Sequence, residues 1–115
     1  MLSIGTDIVK IDRIRNLSND DNFFNKIFSD KEVKYCKQYS DPVIHLSGKY
    51  AAKEAVKKAL LSANLTSHIS MKKIEVLNKE DKSPYISLST INNVKCRVSI
   101  SHDGDYAIAF AIIEK

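Results

Sequence analysis

The sequence has no tryptophan and only three glycines, two prolines and two cysteines among its 115 residues. With glycine and proline so scarce there is no flexible or proline-rich linker, and the chain reads as a single domain spanning residues 1–115. Cys36 and Cys96 form no C-x-x-C pair, so neither a disulfide framework nor a zinc knuckle is signalled. Long apolar runs are missing too. The longest stretch without charged residues, Ala59 to Met71, is interrupted by Ser, Asn, Thr and His, which excludes a bilayer-spanning helix there. Residues Met1 to Asp7 lack the basic and apolar regions of a secretory signal, so a soluble, cytoplasmic protein without membrane contact is expected. Neither charge sign dominates: 18 basic residues stand against 14 acidic ones, a net charge of +4. Aromatic residues are 8% and no long Lys/Arg block occurs. That balance suits a specific acidic or phosphorylated partner better than generic coating of nucleic acid.

The patterning that is present predicts an α+β fold. Leu2 to Ile8 alternates like a strand, and Gly5 within it would permit close backbone approach. From Ile11 to Phe28 the apolar spacing is helical, and the Asn19–Asn22 cluster divides it into two short helices. Ser29 and Glu32 spell a capping box for a helix from Asp30 to about Tyr39. Asp41 and Pro42 then mark the start of one long central helix reaching Ala63. Four strand-like runs follow: Lys73 to Leu77, Tyr85 to Ser89, Lys95 to Ser101, and Tyr106 to Glu114. They predict an antiparallel sheet segment that ends in a C-terminal hairpin around Asp103-Gly104.

Chemistry is concentrated in few places. Asp7 is an acid set in an apolar strand and needs a basic, helix-terminal or metal partner. Glu54 and Lys58 share one face of the long helix. Two carboxylates on rigid elements with lysines beside them can hold Mg²⁺ against a pyrophosphate; the same spacing also describes a plain solvated ion pair. Ser101, His102 and Asp103 are consecutive, so they cannot fold into a hydrolase triad, and no G-x-S-x-G is present. At a strand end, Ser101 and His102 suit phosphate binding. His45 and His68 are isolated and expected to face solvent; Cys36 and Cys96 are expected in the core, and Phe23, Phe24 and Phe28 in packing. Lys10, Arg13 and Arg15 follow the first strand, with Lys26 and Lys31 soon after, and form either a cationic docking face or an ordinary solvated one.

Taken together, three motifs resemble those of bacterial holo-[acyl-carrier-protein] synthases, the short phosphopantetheinyl transferases. They are Gly5-Thr6-Asp7-Ile8-Val9 with Ile11-Asp12-Arg13-Ile14; Leu46-Ser47-Gly48-Lys49-Tyr50-Ala51-Ala52-Lys53-Glu54-Ala55 with Lys58-Ala59; and Val98-Ser99-Ile100-Ser101-His102-Asp103 with Tyr106-Ala107-Ile108-Ala109. The resemblance implies transfer of 4′-phosphopantetheine from coenzyme A to a serine of apo-acyl carrier protein, leaving adenosine 3′,5′-bisphosphate, in the service of fatty acid biosynthesis. It implies Mg²⁺ on Asp7 and Glu54, and Glu54 and Lys58 as the catalytic residues, with Lys58 near the transferred phosphate. Lys49, Lys58, Ser101 and His102 would surround the coenzyme A phosphates, and Lys10, Arg13 and Arg15 would meet the carrier protein. A homotrimer with sites between subunits is implied as well, its axis near the strand from Lys95 to Ser101. Three positions depart from the family pattern: Lys10 stands where an acid is common, Lys49 where arginine is frequent, and Asp81-Lys82-Ser83-Pro84 lacks a glycine before its proline. Two other classes compete: a small basic nucleic-acid-binding module and an inactive structural trimer.

Overall fold

In the computed structural model, which describes residues 1–115, the first alternation forms strand β1, Leu2–Lys10. Helices α1 (Ile11–Leu17) and α2 (Asp21–Ile27) follow, and the polar cluster between them does break the helix. Asp20 caps α2 by accepting from the backbone N–H groups of Asn22 at 3.0 Å and Phe23 at 3.2 Å. The capping box is present at α3 (Asp30–Cys36), which ends three residues earlier than its apolar spacing suggested. Helix α4 runs Pro42–Ser62, with Asp41 accepting from Val43 N–H and Pro42 in the first turn, where its missing donor costs nothing. A single 3-10 turn, Met71–Lys73, leads into β2 (Ile74–Asn78), β3 (Pro84–Leu88), β4 (Lys95–Asp103) and β5 (Tyr106–Glu114). No helix is long and apolar enough to cross a membrane.

The strands form two sheets rather than one. β1 pairs antiparallel with β5, and β5 with β4, giving the order β1-β5-β4; β2 and β3 form a separate antiparallel pair. The C-terminal hairpin turns on Gly104-Asp105, one residue beyond the Asp103-Gly104 pair, because Asp103 is still paired with Tyr106. Gly104 alone in that turn takes a positive φ, +56°, the sign pattern of a type II′ turn.

Helix α4 lies across the three-stranded sheet and is buried along most of its length. Close approach is what the small residues provide. A Cβ at Gly5 would fall far inside contact distance of the Ala55 carbonyl oxygen, and Ser3 Oγ donates to the Ala59 carbonyl at 2.8 Å. On β5 the residues facing α4 are Ala107, Ala109, Ala111 and Ile113, all buried. The bulkier side chains point the other way. Leu2, Ile4 and Ile8 on β1 are 60–67% exposed, and Ile108, Phe110 and Ile112 on β5 join them on the open face of the sheet.

The opposite side of α4 is held by charge. Lys53, with no solvent exposure, pairs at 2.8 Å with the equally buried Glu32 of α3, and donates to the carbonyls of Met71 (2.9 Å) and Ile74 (2.6 Å). Glu32 in turn accepts from Ser29 N–H at 2.8 Å and from Val76 N–H at 2.7 Å. Its capping role thus doubles as the counter-charge of a buried ammonium. Lys49, one turn earlier, donates to the Val76 carbonyl and to Asn78 Oδ1. The two lysines and Glu32 saturate the edge of β2 that β3 leaves open, which is why no third strand pairs there. No buried side-chain polar atom is left without a partner.

Lys53→Met strands the Glu32 carboxylate in the interior and should lower unfolding free energy by about 3–5 kcal/mol in urea titrations. Adding Glu32→Gln to that variant removes the orphaned charge and should restore part of the loss.

Candidate active site

Strand alternation turns Ser3, Gly5, Asp7 and Val9 toward α4, so Asp7 leaves the strand on the helix side. There it meets Lys58, whose ammonium lies 3.1 Å from Asp7 Oδ1 and 3.0 Å from the Thr6 carbonyl oxygen. The Asp7 side chain is largely covered at 16% exposure, while that of Lys58 stays half open at 54%. Glu54 lies one turn before Lys58, half-buried, and its carboxylate engages no donor of the chain. Tyr50, one turn earlier again, links these groups. Burial, followed by the Glu54 charge, raises its hydroxyl pKa; Arg13 opposes the rise and Asp7 adds to it. The Arg13 guanidinium sits 5.7 Å from the Tyr50 ring centroid. Asp7, Tyr50, Glu54, Lys58 and Arg13 therefore form one cluster where β1, α1 and α4 meet.

Two carboxylates converge here rather than three or more metal-binding side chains, and no larger group of His, Cys, Asp and Glu gathers elsewhere. That donor set fits a magnesium ion, which takes one or two carboxylates and fills its shell with water and phosphate oxygens. The free Glu54 carboxylate and the partly covered Asp7 are the oxygens that would hold it.

The other cationic residues separate into two groups. Lys10 is exposed, with its ammonium 6.0 Å from the Tyr106 ring, and Arg13 is exposed beside it. Arg15 is engaged instead: its Nη1 and Nη2 donate to the two Asp41 carboxylate oxygens, at 3.2 and 2.9 Å. Those hydrogen bonds hold the Asp41 carboxyl below its ordinary range and tie α1 to the start of α4. Arg15 is thus part of the scaffold, a use its spacing in the sequence did not reveal.

A cavity of about 280 Å³ opens farther toward the start of α4, walled by Tyr35, Tyr39, His45, Lys49, Lys82 and His102, among others, and by no carboxylate. Lys49 and His102 were expected at the phosphates and do line it. Ser101 does not: it pairs with Ile108 on the open face of the sheet, while His102 pairs with Ala107 on the α4 side. Successive strand residues point to opposite faces, so the two cannot share this wall. Lys49 is almost fully buried, and burial lowers its pKa.

His45 departs from the expectation of an isolated, solvent-facing residue. Its ring stacks on Tyr39 at 3.7 Å and 20°, and lies 6.4 Å from His102. Burial, then the charges of His102 and Lys49, lowers its pKa. The sequence held a signal, since His45, Gly48 and Lys49 are spaced to share one helix face. Tyr35 and Tyr39 join their hydroxyls at 2.8 Å, and burial together with that bond pushes Tyr35 up to about 12. Cys36 is in the core, with burial pushing its thiol up to about 12; Cys96 is half-buried against the core, and His68 is exposed. Glu32 was read from the sequence only as a capping residue, and the buried ion pair it makes with Lys53 was not, because a lysine in a lysine-rich helix reads as solvated.

The chain is 38% identical over 112 residues to a holo-[acyl-carrier-protein] synthase of Thermodesulfovibrio yellowstonii, with 96% of each chain covered. It is 40% identical over 118 residues to the corresponding protein of Protochlamydia amoebophila, again with 96% of each covered. A solved ACPS–CoA complex from Chronobacterium ammoniagenes superposes with a TM-score of 0.86 at 30% identity, covering 98% of this chain and 96% of that one. The 4′-phosphopantetheinyl transferase superfamily model matches residues 3–111, all but the first two and last four positions. The same span carries the strand, the helix and the hairpin that assemble the carboxylate cluster and the cavity, and the chain belongs to the 4′-phosphopantetheinyl transferase superfamily.

Proposed function

We infer that this chain is a holo-[acyl-carrier-protein] synthase, which transfers 4′-phosphopantetheine from coenzyme A to a serine hydroxyl of apo-acyl carrier protein. The observation that carries this reading is the meeting of Asp7, Glu54 and Lys58 at the β1–α4 crossing, in a chain that matches relatives of that name over nearly its full length. In the transfer, the serine oxygen forms the new bond to phosphorus while the bond to the departing 5′-phosphate oxygen breaks, releasing adenosine 3′,5′-bisphosphate. Such a transfer depends on positioning and on neutralising charge. Mg²⁺, the metal we assign to Asp7 and Glu54, supplies neutralisation of the pyrophosphate when bound. Lys58, already at the edge of that cluster, offers its half-exposed ammonium to the leaving phosphate. The serine proton goes to the carboxylate cluster or to water held by it. Lys49, Lys82, His45 and His102 give the nearby cavity a character suited to the other phosphates of coenzyme A. Incubation with coenzyme A, Mg²⁺ and an apo-carrier protein should add the mass of one phosphopantetheine arm to the carrier. No gain with any of several carriers would overturn the assignment. Asp7→Ala and Glu54→Gln should each remove most turnover at saturating Mg²⁺ while leaving the thermal midpoint nearly unchanged, since neither side chain packs in the core.

Assembly as a homotrimer with shared sites is supported by the inversion of bulk across the three-stranded sheet. Small residues face the protein's own helix, and Leu2, Ile4, Ile8, Ile108, Phe110 and Ile112 face outward. Continuous apolar surface of that kind marks an interface. Its centre is β5 with β1, whereas the outward residues of β4 are Lys95, Arg97, Ser99 and Ser101, which suit the rim better than an axis. Phe110→Asp should convert the assembly to monomers in sedimentation without loss of helical signal, and activity should fall with it.

Exposed Arg13, beside Tyr50 and the carboxylate cluster, and exposed Lys10, at the end of β1 on the open face of the sheet, are the residues we assign to docking the acidic carrier protein in the cytoplasm, where fatty acid biosynthesis draws on the product. Complementary charge acts mainly on encounter rate. Arg13→Glu should slow association with the carrier by about tenfold at low salt. Binding of coenzyme A, measured alongside, should be unchanged.

A further inference from the structure

We propose that His45 is a ligand-contacting residue of the cavity at the start of α4, where its imidazole takes up a proton as a phosphate-bearing nucleotide binds. The inference rests on the reading of this cavity as a site for the phosphates of coenzyme A, and it assigns there a residue that the three motifs do not contain.

The geometry comes first. Stacking on Tyr39 at 3.7 Å fixes the plane of the His45 ring, and Tyr39 is itself braced by the hydroxyl of Tyr35. His102 of β4 stands 6.4 Å away at 74°, so two imidazoles wall the same cavity from two elements. A ring held in this way has already lost its rotamer freedom and meets a ligand at little further entropic cost.

The cationic side chains that wall the cavity around His45 favour an anion in that space. From α4 comes Lys49, from β4 His102, and from the β2–β3 connection Lys82, whose ammonium lies 5.9 Å from the Tyr39 ring. Tyr35 and Tyr39, on and after α3, contribute phenol hydroxyls. The one carboxylate acting on His45 is Asp41, and Arg15 and the Val43 N–H already occupy it. In the free protein burial, followed by the charges of His102 and Lys49, holds the imidazole below its ordinary pKa and so disfavours the imidazolium. A phosphate placed in the cavity reverses that balance, because the anion stabilises the imidazolium. The sign follows from linkage: a group whose pKa rises on binding takes up protons. Its contribution to affinity therefore grows as pH falls through the window between its free and bound values.

The test is calorimetric titration with adenosine 3′,5′-bisphosphate in buffers of different ionisation enthalpy between pH 6 and 8. His45→Phe, which keeps a ring against Tyr39, is compared with the unaltered protein, so that titration of the ligand's own phosphates cancels. The expected result is net proton uptake in the unaltered protein that is reduced in the variant, with affinity lower by roughly tenfold at pH 6 and by much less at pH 8. Equal proton uptake and equal affinity across the range would overturn the role of His45 while leaving the nucleotide reading intact. If the unaltered protein fails to bind the nucleotide at all, both readings fall. Should the variant not fold, the His45 ring resonance of the unaltered protein is followed against pH with and without the nucleotide: a raised midpoint in the complex supports the proposal, and an unmoved one rejects it.

Discussion

The close crossing of β1 over α4 is the constraint on which the rest of this structure depends. It exists because Gly5 presents no side chain to the Ala55 carbonyl, and because Ala55 and Ala59 present very little in return. Strand alternation then leaves Asp7 no direction but toward the helix, where Glu54 and Lys58 are one turn apart. A larger residue at position 5 would lift the strand and separate the acidic residue of one element from those of the other. The carboxylate cluster is thus a by-product of backbone proximity, achieved by removing bulk rather than by adding specific contacts.

Helix α4 resolves two demands on opposite sides. Toward the three-stranded sheet it is smooth and apolar; toward α3 and β2 it carries Lys49 and Lys53, both buried. Taking two ammonium groups out of water is costly unless each is paired or well hydrogen-bonded. Glu32 and the carbonyls of Met71, Ile74 and Val76 provide those partners, and the lysines in return close the open edge of β2. The β2–β3 pair is held in place this way, and with it Asn78 and Lys82, which line the cavity. Lys49 belongs to both the buried framework and the cavity wall, whereas Lys53 serves the framework alone.

The open face of the sheet reverses the usual sorting of residues. In an isolated domain the bulky positions of β1 and β5 would point inward, but here the inner positions are taken by alanine and glycine so that the helix can approach. The apolar bulk displaced outward leaves Leu2, Ile4, Ile8, Ile108, Phe110 and Ile112 on the open face. The close approach of the two carboxylates and the apolar open face follow from one packing choice.

Much of this was legible in the residues alone. Local signals such as the Asn19–Asn22 break, the Ser29–Glu32 box, the Asp41-Pro42 start and the strand-like runs depend on neighbours in sequence, and elements formed where those signals lay. Asp7, Glu54 and Lys58 were visible because an acid in an apolar strand and a charged helix face are themselves local patterns. What depended on distant partners was not. That Arg15 clamps Asp41, that Glu32 neutralises Lys53, that the four later strands divide into two sheets and that Ser101 turns away from His102's cavity are facts about which surfaces meet. The same holds for His45, whose environment is made by Tyr39 and by a strand more than fifty residues away. Which elements form follows from local sequence, because backbone hydrogen bonds and caps are short-range; which charges are buried, paired or left free follows from the packing of distant segments, because burial is a property of the assembled chain.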